Sequence, residues 1–224
     1  MKRTLLFIIT LAATINVNAQ FKPGHWSFQP MIGIGLSSMT NEEDIQISGS
    51  DKLEKQMAAA ALLGGEFEYQ ITDKVSLATG LNYSIQGQQW QNAKVKGVKY
   101  EQPRIELGYI KIPVVANYYF AKGWAVKAGL QFGIMTDANI RVKAEGNTDI
   151  LGTSRKATID TTIDLKPDCE KVDVSIPLGI SYQFKNPWVL DLRYQLGLTN
   201  INKSGDSDTK NSVFMLTCGY KFTL

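Results

Sequence analysis

Few residues of this 224-residue chain have the type and spacing that chemistry requires. Its one histidine is His25, and its two cysteines are Cys169 and Cys218. A histidine general base must share a site with a nucleophile and an orienting acid. His25 instead stands just before the first patterned segment, at the opposite end from the long polar links where such partners would gather. One histidine and two separated cysteines cannot build a zinc cluster. Two cysteines are also too few to replace a core with disulfides, and their places in a long link and a mid-strand do not suit a bridge. Asn41, Glu42, Glu43 and Asp44, like Asp206 and Asp208, offer calcium-type oxygens without ordered ligand spacing and read as solvated loops. Gly33-x-Gly35 lacks the rest of a dinucleotide fingerprint and precedes no helical pattern. No catalytic residue, cofactor or metal site is assigned, and the chain reads as non-enzymatic.

One polar set stands out. Glu66, Glu68, Asp173 and Asp191 share strand faces with Lys111, Lys127, Arg193 and Lys221, four acids against four bases. Buried charges must be paired and hydrogen-bonded to offset their desolvation. If these residues face one interior, they form either a structural plug or a narrow ion path, and eight strands leave little room for the second.

The elements that would position them are strands. Apolar and polar residues alternate with period two through segments 26–37, 59–71, 75–86, 105–120, 124–134, 172–184, 188–198 and 214–224. In the fourth segment Ile105, Leu107 and Tyr109 share one parity and Ile110, Ile112 and Val114 the other. An extra residue near Gly108, a β-bulge, would reconcile them, and Pro113 predicts a second irregularity. The connections alternate without exception. Residues 72–74, 121–123 and 185–187 are tight turns, whereas 39–56, 89–103, 136–170 and 200–210 are long and polar. Within the longest link, Ile140 to Lys143 and Thr158 to Ile163 alternate weakly, so the flanking strands are expected to continue as a hairpin whose edge could take up an extended segment.

The first nineteen residues read as an export signal. Lys2 and Arg3 precede the apolar run Leu5 to Leu11, and Val17-Asn18-Ala19 leads to cleavage between Ala19 and Gln20. Residues 20–224 are then one domain, with 22 basic against 21 acidic residues left after Lys2 and Arg3 are removed from the 24 and 21 of the whole chain. Such a balance shows no basic stripe for nucleic acid. Beyond residue 19 no apolar stretch reaches the ~18 residues of a spanning helix, so a membrane-resident chain must be a closed barrel.

Alternation alone leaves open which face looks inward, since a soluble barrel carrying an apolar ligand alternates too. Three features favour apolar side chains outward. The polar face of the first strand carries no charge, and the other polar faces are rich in glycine, as a crowded interior demands. Trp26, Tyr69, Phe120, Trp124, Phe184, Trp188 and Phe222 share one height beside the tight turns, as a girdle at a headgroup boundary does. The chain also ends with Thr217, Gly219, Phe222 and Leu224, which resembles the C-terminal assembly signal of bacterial outer-membrane barrels. The expected fold is all-β, an eight-stranded antiparallel up-and-down transmembrane β-barrel with short periplasmic turns and long extracellular loops.

Gly80-Leu81-Asn82-Tyr83-Ser84, Tyr109-Ile110-Lys111-Ile112-Pro113-Val114, Asp191-Leu192-Arg193-Tyr194 and Gly219-Tyr220-Lys221-Phe222 resemble the PorT-like outer-membrane β-barrel family, kin in architecture to OmpX-type and OmpA-type barrels. The resemblance implies the outer membrane of a Gram-negative cell, with outer-membrane lipid, lipopolysaccharide and the barrel-assembly machinery as partners. One family member is tied to a protein-secretion system, which adds an accessory secretion role as an expectation that no residue here carries. From the residues, the expected function is a structural or interaction role through the long loops, where a protein partner would bind. The alternatives are a narrow channel or transporter for small solutes and a soluble periplasmic barrel. Lys94, Lys96 and Lys99 either meet lipopolysaccharide phosphates or are simply solvated.

Overall fold

The computed structural model describes residues 22–40, 45–46, 52–95, 98–150, 153–203 and 208–224. Ala19 and Gln20, the run Asn41 to Asp44, Lys96 and Asp206 lie outside the described residues. The strands, in chain order, are β1 (Trp26–Met39), β2 (Ile45–Gln46), β3 (Lys52–Leu53), β4 (Lys55–Gln70), β5 (Val75–Trp90), β6 (Ala93–Val95) and β7 (Val98–Ala121). They continue with β8 (Trp124–Ile150), β9 (Thr153–Asp164), β10 (Val172–Gln183), β11 (Trp188–Gly197), β12 (Asn211–Tyr220) and β13 (Phe222–Thr223). Eight of them, β1, β4, β5, β7, β8, β10, β11 and β12, pair antiparallel with their sequence neighbours. The last strand then returns to the first, Met31 opposite Gly219 and Met39 opposite Asn211. Closure leaves no edge within this wall, as a strand structure in lipid requires.

The alternation becomes two unlike surfaces. Ile32, Ile34, Leu63, Leu81, Leu130 and Leu192 point outward, with Ile34 72% and Leu192 50% exposed. Glu66, Lys111, Asp191 and Arg193 point inward and are almost wholly shielded from solvent. Apolar side chains outside and charges inside is the arrangement of a lipid-embedded wall. The interior is crowded as well: a Cβ on Gly64 would lie 2.1 Å from the Asn82 Oδ1. The tight turn 121–123 needs Gly123 because its φ is +83°.

Prolines are accommodated by a recurring device. Pro30 lies opposite Gly65. Pro113 and Pro177 fall where the β5–β7 and β8–β10 ladders are interrupted without a change of register, at Gly80 and Gly129. A residue without an N–H leaves a gap in its ladder, and at Pro113 and Pro177 glycine is the residue across that gap.

The parity change near Gly108 has a different origin from the expected extra residue on β7. Ile105, Leu107, Tyr109, Lys111 and Pro113 keep one inward parity throughout β7. The unpaired residue is Thr136 on β8, skipped between Gly108 opposite Asp137 and Tyr109 opposite Met135. What changes at Tyr109 is the polarity of the faces. Below it the inner face is polar and the outer apolar. Above it Ile105, Leu107 and Tyr109 turn inward, joining Met39, Met135, Ala138, Cys169 and Ile201 in an apolar cluster across the mouth.

Above the mouth the wall continues as a sheet in the order β6-β7-β8-β9. The hairpin expected within the longest link is present, as β8 runs on to Ile150 and folds back as β9 with Ile140 opposite Ile163 and Lys143 opposite Asp160; the link 89–103, read as a loop, is instead partly strand, with β7 beginning at Val98.

Candidate functional site

The lumen is filled in successive polar clusters. Nearest the tight turns, Glu68 accepts from Ser76 Oγ at 2.6 Å, Tyr119 OH at 2.5 Å and Lys221 Nζ at 2.7 Å. The next cluster is a charge chain. Arg193 donates through Nη1 and Nη2 to the two oxygens of Glu66 at 2.8 and 3.3 Å. It also donates to Asp191 Oδ2 at 3.1 Å, which accepts from Lys127 Nζ at 2.5 Å. Alternating strand parity drives all these side chains inward, and eight strands bring them within reach across the barrel.

The other two expected members take neutral partners. Lys111, 1% exposed, donates to the carboxamide oxygens of Gln86 at 2.5 Å and Gln195 at 2.7 Å. Gln131 joins Gln195 and Ser175 to that cluster. Asp173 accepts from Asn211 Nδ2 at 2.8 Å, and the same amide reaches Tyr109 OH at 3.3 Å. So six of the eight charges meet in ion pairs, while Lys111 and Asp173 are held by glutamine, asparagine and tyrosine. The glutamines went unremarked in the sequence, although Gln86, Gln131 and Gln195 all have inward parity.

At the turn end, Trp26 packs on Tyr69 with ring centroids 4.9 Å apart, Trp124 on Tyr182 at 4.8 Å and Trp188 on Tyr220 at 5.3 Å. Phe184 and Phe222 contact Tyr182 and Tyr220 in turn, and Phe120 is half-buried at the same end. Tyr182 and Tyr220 were not anticipated in this ring; their outward parity next to a turn was the available signal. Thr217 points inward, while Phe222 and Leu224 are exposed, and the Leu224 N–H donates to the Trp26 carbonyl at 2.9 Å. His25 is exposed at the turn end, 3.1 Å from the Lys22 carbonyl oxygen. Both cysteines are free, Cys169 buried in the mouth cluster and Cys218 on the outer wall. Burial pushes the Cys169 thiol up from its ordinary range, with Asp168 adding to the effect. No group of three or more metal-ligating side chains occurs among the described residues.

Beyond the mouth, the outer face of the β7–β8–β9 sheet is charged. A cavity of about 740 Å³ is lined there by Asn92, Glu101, Gln102, Arg104, Arg141, Lys143, Asp160 and Thr162. Arg104 and Arg141 stand directly opposite each other on β7 and β8. Like charges in that position repel, and Glu106 holds both, with Arg104 Nε at 2.9 Å and Arg141 Nε at 3.2 Å. Lys143 pairs with Asp160 at 3.5 Å and Lys99 with Glu101 at 2.8 Å. The hydrogen bond and charge of Lys99 hold the Glu101 carboxyl below its usual range, and Glu101 raises the ammonium in return. Beside the cavity β7 bulges between Glu101 and Arg104, and Gln102 there has φ +38°, with its N–H donated to Asn92 Oδ1 at 3.0 Å. Non-glycine residues adopt such a φ at a cost.

No curated protein matches the chain in sequence. Among solved structures it is similar to Neisserial surface protein A, at 13% identity over 88% of this chain and 97% of that one, with a TM-score of 0.44. It is also similar to the attachment invasion locus protein Ail of Yersinia pestis, at 12% identity over 89% and 99% of the two chains and a TM-score of 0.35. A third likeness is to OprG of Pseudomonas aeruginosa, at 12% identity over 92% and 99% and a TM-score of 0.37. At the level of family, residues 18–203 match the outer membrane protein beta-barrel domain. That match takes in most of the 224 residues, and the chain belongs to this family of outer-membrane barrels.

Proposed function

We propose that the protein is a sealed, non-enzymatic barrel that stands in the outer membrane and displays its extended β7–β8–β9 sheet outside the cell. The observation that carries this reading is the filled lumen: Lys111, Asp191 and Arg193 are at most 2% exposed and are held by side chains from across the barrel. A wall this narrow, cross-linked by charge-assisted hydrogen bonds, leaves no continuous aqueous path. The purified protein in planar bilayers should give no steady conductance steps; regular steps that scale with salt concentration would overturn the reading.

A second reading, a narrow path for small solutes, draws on the Lys111 cluster. There Gln86 Nε2, Gln131 Oε1 and Gln195 Nε2 are buried without a hydrogen-bond partner, so the polar side chains are not fully engaged with one another. The same bilayer recording decides between the two.

Several finer assignments belong to this proposal. Ala19 and Gln20 flank the cleavage site of an export signal. The aromatic ring at the turn end marks the periplasmic boundary, and Thr217, Gly219, Phe222 and Leu224 are read by the assembly machinery. The PorT-like motif residues build wall and lumen here, Asn82 donating to Glu66 and Lys111 to Gln86, which supports their part in the barrel itself.

A further inference from the structure

We infer that the Arg104–Glu106–Arg141 cluster on the outer face is a binding site for the phosphate group of a phosphorylated glycolipid in the surrounding outer leaflet. The inference rests on the proposed orientation, which puts the sheet end of the barrel at that leaflet.

Position is the first argument. Ile110 on β7 and Ile134 on β8 are apolar, outward and exposed. Glu106 lies four residues beyond Ile110 on the same outward face, and Arg104 two further. At about 3.3 Å per residue and a tilt of about 40°, these side chains stand roughly 10–15 Å above Ile110. That is the level of lipid headgroups and the sugars attached to them, and the side chains face the lipid, not the lumen.

Convergent charge is the second. Both arginines pair through Nε with the one Glu106 carboxylate, which holds two opposed guanidinium groups side by side on the wall of the cavity that both residues line. The acids on the cavity wall are each paired with a lysine, Glu101 with Lys99 and Asp160 with Lys143. Two guanidinium groups against one carboxylate leave a local excess of one positive charge. Planar forks of this kind match phosphate oxygens in a bidentate manner. A space of about 740 Å³ with Asn92, Gln102 and Thr162 on its wall also admits a sugar ring bearing that phosphate.

The test is native mass spectrometry of the folded protein in detergent. It is titrated with bisphosphorylated lipid A, with the same lipid dephosphorylated, and with inorganic phosphate. The phosphorylated lipid should bind at least about tenfold more tightly than the dephosphorylated one, with the preference abolished in the R104Q/R141Q double variant. Heat-modifiable migration on gels confirms that the variant is folded, and the comparison of the two lipids on the unaltered protein does not depend on it. Equal binding of the two lipids, an unchanged preference in the folded variant, or inorganic phosphate binding as tightly as the lipid would each overturn the site. A barrel that conducts but keeps the preference loses the sealed-lumen reading alone; one that is silent in bilayers but indifferent to phosphate loses only this site.

Discussion

Arg193 and Glu66, 127 residues apart in the chain, meet inside the barrel through two hydrogen bonds of 2.8 and 3.3 Å, both side chains buried. Removing Arg193 leaves the buried Glu66 carboxylate without its ion-pair partner, with only the Asn82 amide donating to it. Arg193→Met should therefore destabilise the barrel by about 3–5 kcal/mol. Arg193→Met combined with Glu66→Met should recover most of that loss, because Lys127 still pairs with Asp191. Urea unfolding followed by heat-modifiable gel migration measures both; equal stability of the single variant and the unaltered protein would refute the role of the pair.

Lipid contact divides the wall residues cleanly. Spin labels on Leu130→Cys and Leu192→Cys should be relaxed by oxygen dissolved in the bilayer, because both side chains point outward. A label on Val115→Cys, whose side chain is fully buried, should be shielded. Power-saturation measurements in vesicles give the comparison, and a shielded Leu192 label would place the wall inside out.

The tryptophans offer a second probe. Trp26, Trp124 and Trp188 are exposed at the turn end, whereas Trp90 is 2% exposed at the other. Lipids brominated near the headgroup should quench single-tryptophan variants that retain any of the first three. A variant that retains only Trp90 should be little affected.

The Cys169 thiol should carry the mark of its buried setting in its response to pH. The thiolate is the reactive species, and burial raises the Cys169 thiol. At a given pH Cys169 therefore holds a smaller thiolate fraction, and its alkylation profile should be displaced to higher pH than that of an unhindered thiol. Unfolding should return the profile to the ordinary position. Measurement in a Cys218→Ser background isolates the group, and a profile displaced to lower pH would contradict the buried setting.

How much of this was legible beforehand depends on which residues are considered. Eight wall strands and three tight turns follow from period-two alternation and from the spacing of residues such as Asp73, Lys122 and Asn186, because those signals are local. The inward charges were readable by parity in the same way. Their partners were not: whether Lys111 meets Asp173 or Gln195 depends on the stagger of strands far apart in the chain. The parity change at Gly108 was visible but ambiguous. An inserted residue on β7 and a reversal of polarity at the mouth leave the same trace, and only the pairing of Tyr109 with Met135 distinguishes them. The Arg104–Arg141 pair was not legible: Arg104 fell between the link 89–103 and the fourth segment, and the weak alternation around Arg141 marked a hairpin but not a charged face.

The meeting of Met31 with Gly219 makes this wall a ring rather than a ribbon. The seam between first and last strands can form only after the whole chain has been delivered, so a nascent or truncated chain carries two raw margins of unsatisfied amides. In hydrocarbon each such group costs several kcal/mol, and loss of β12 alone should deprive every earlier strand of a stable home in the bilayer.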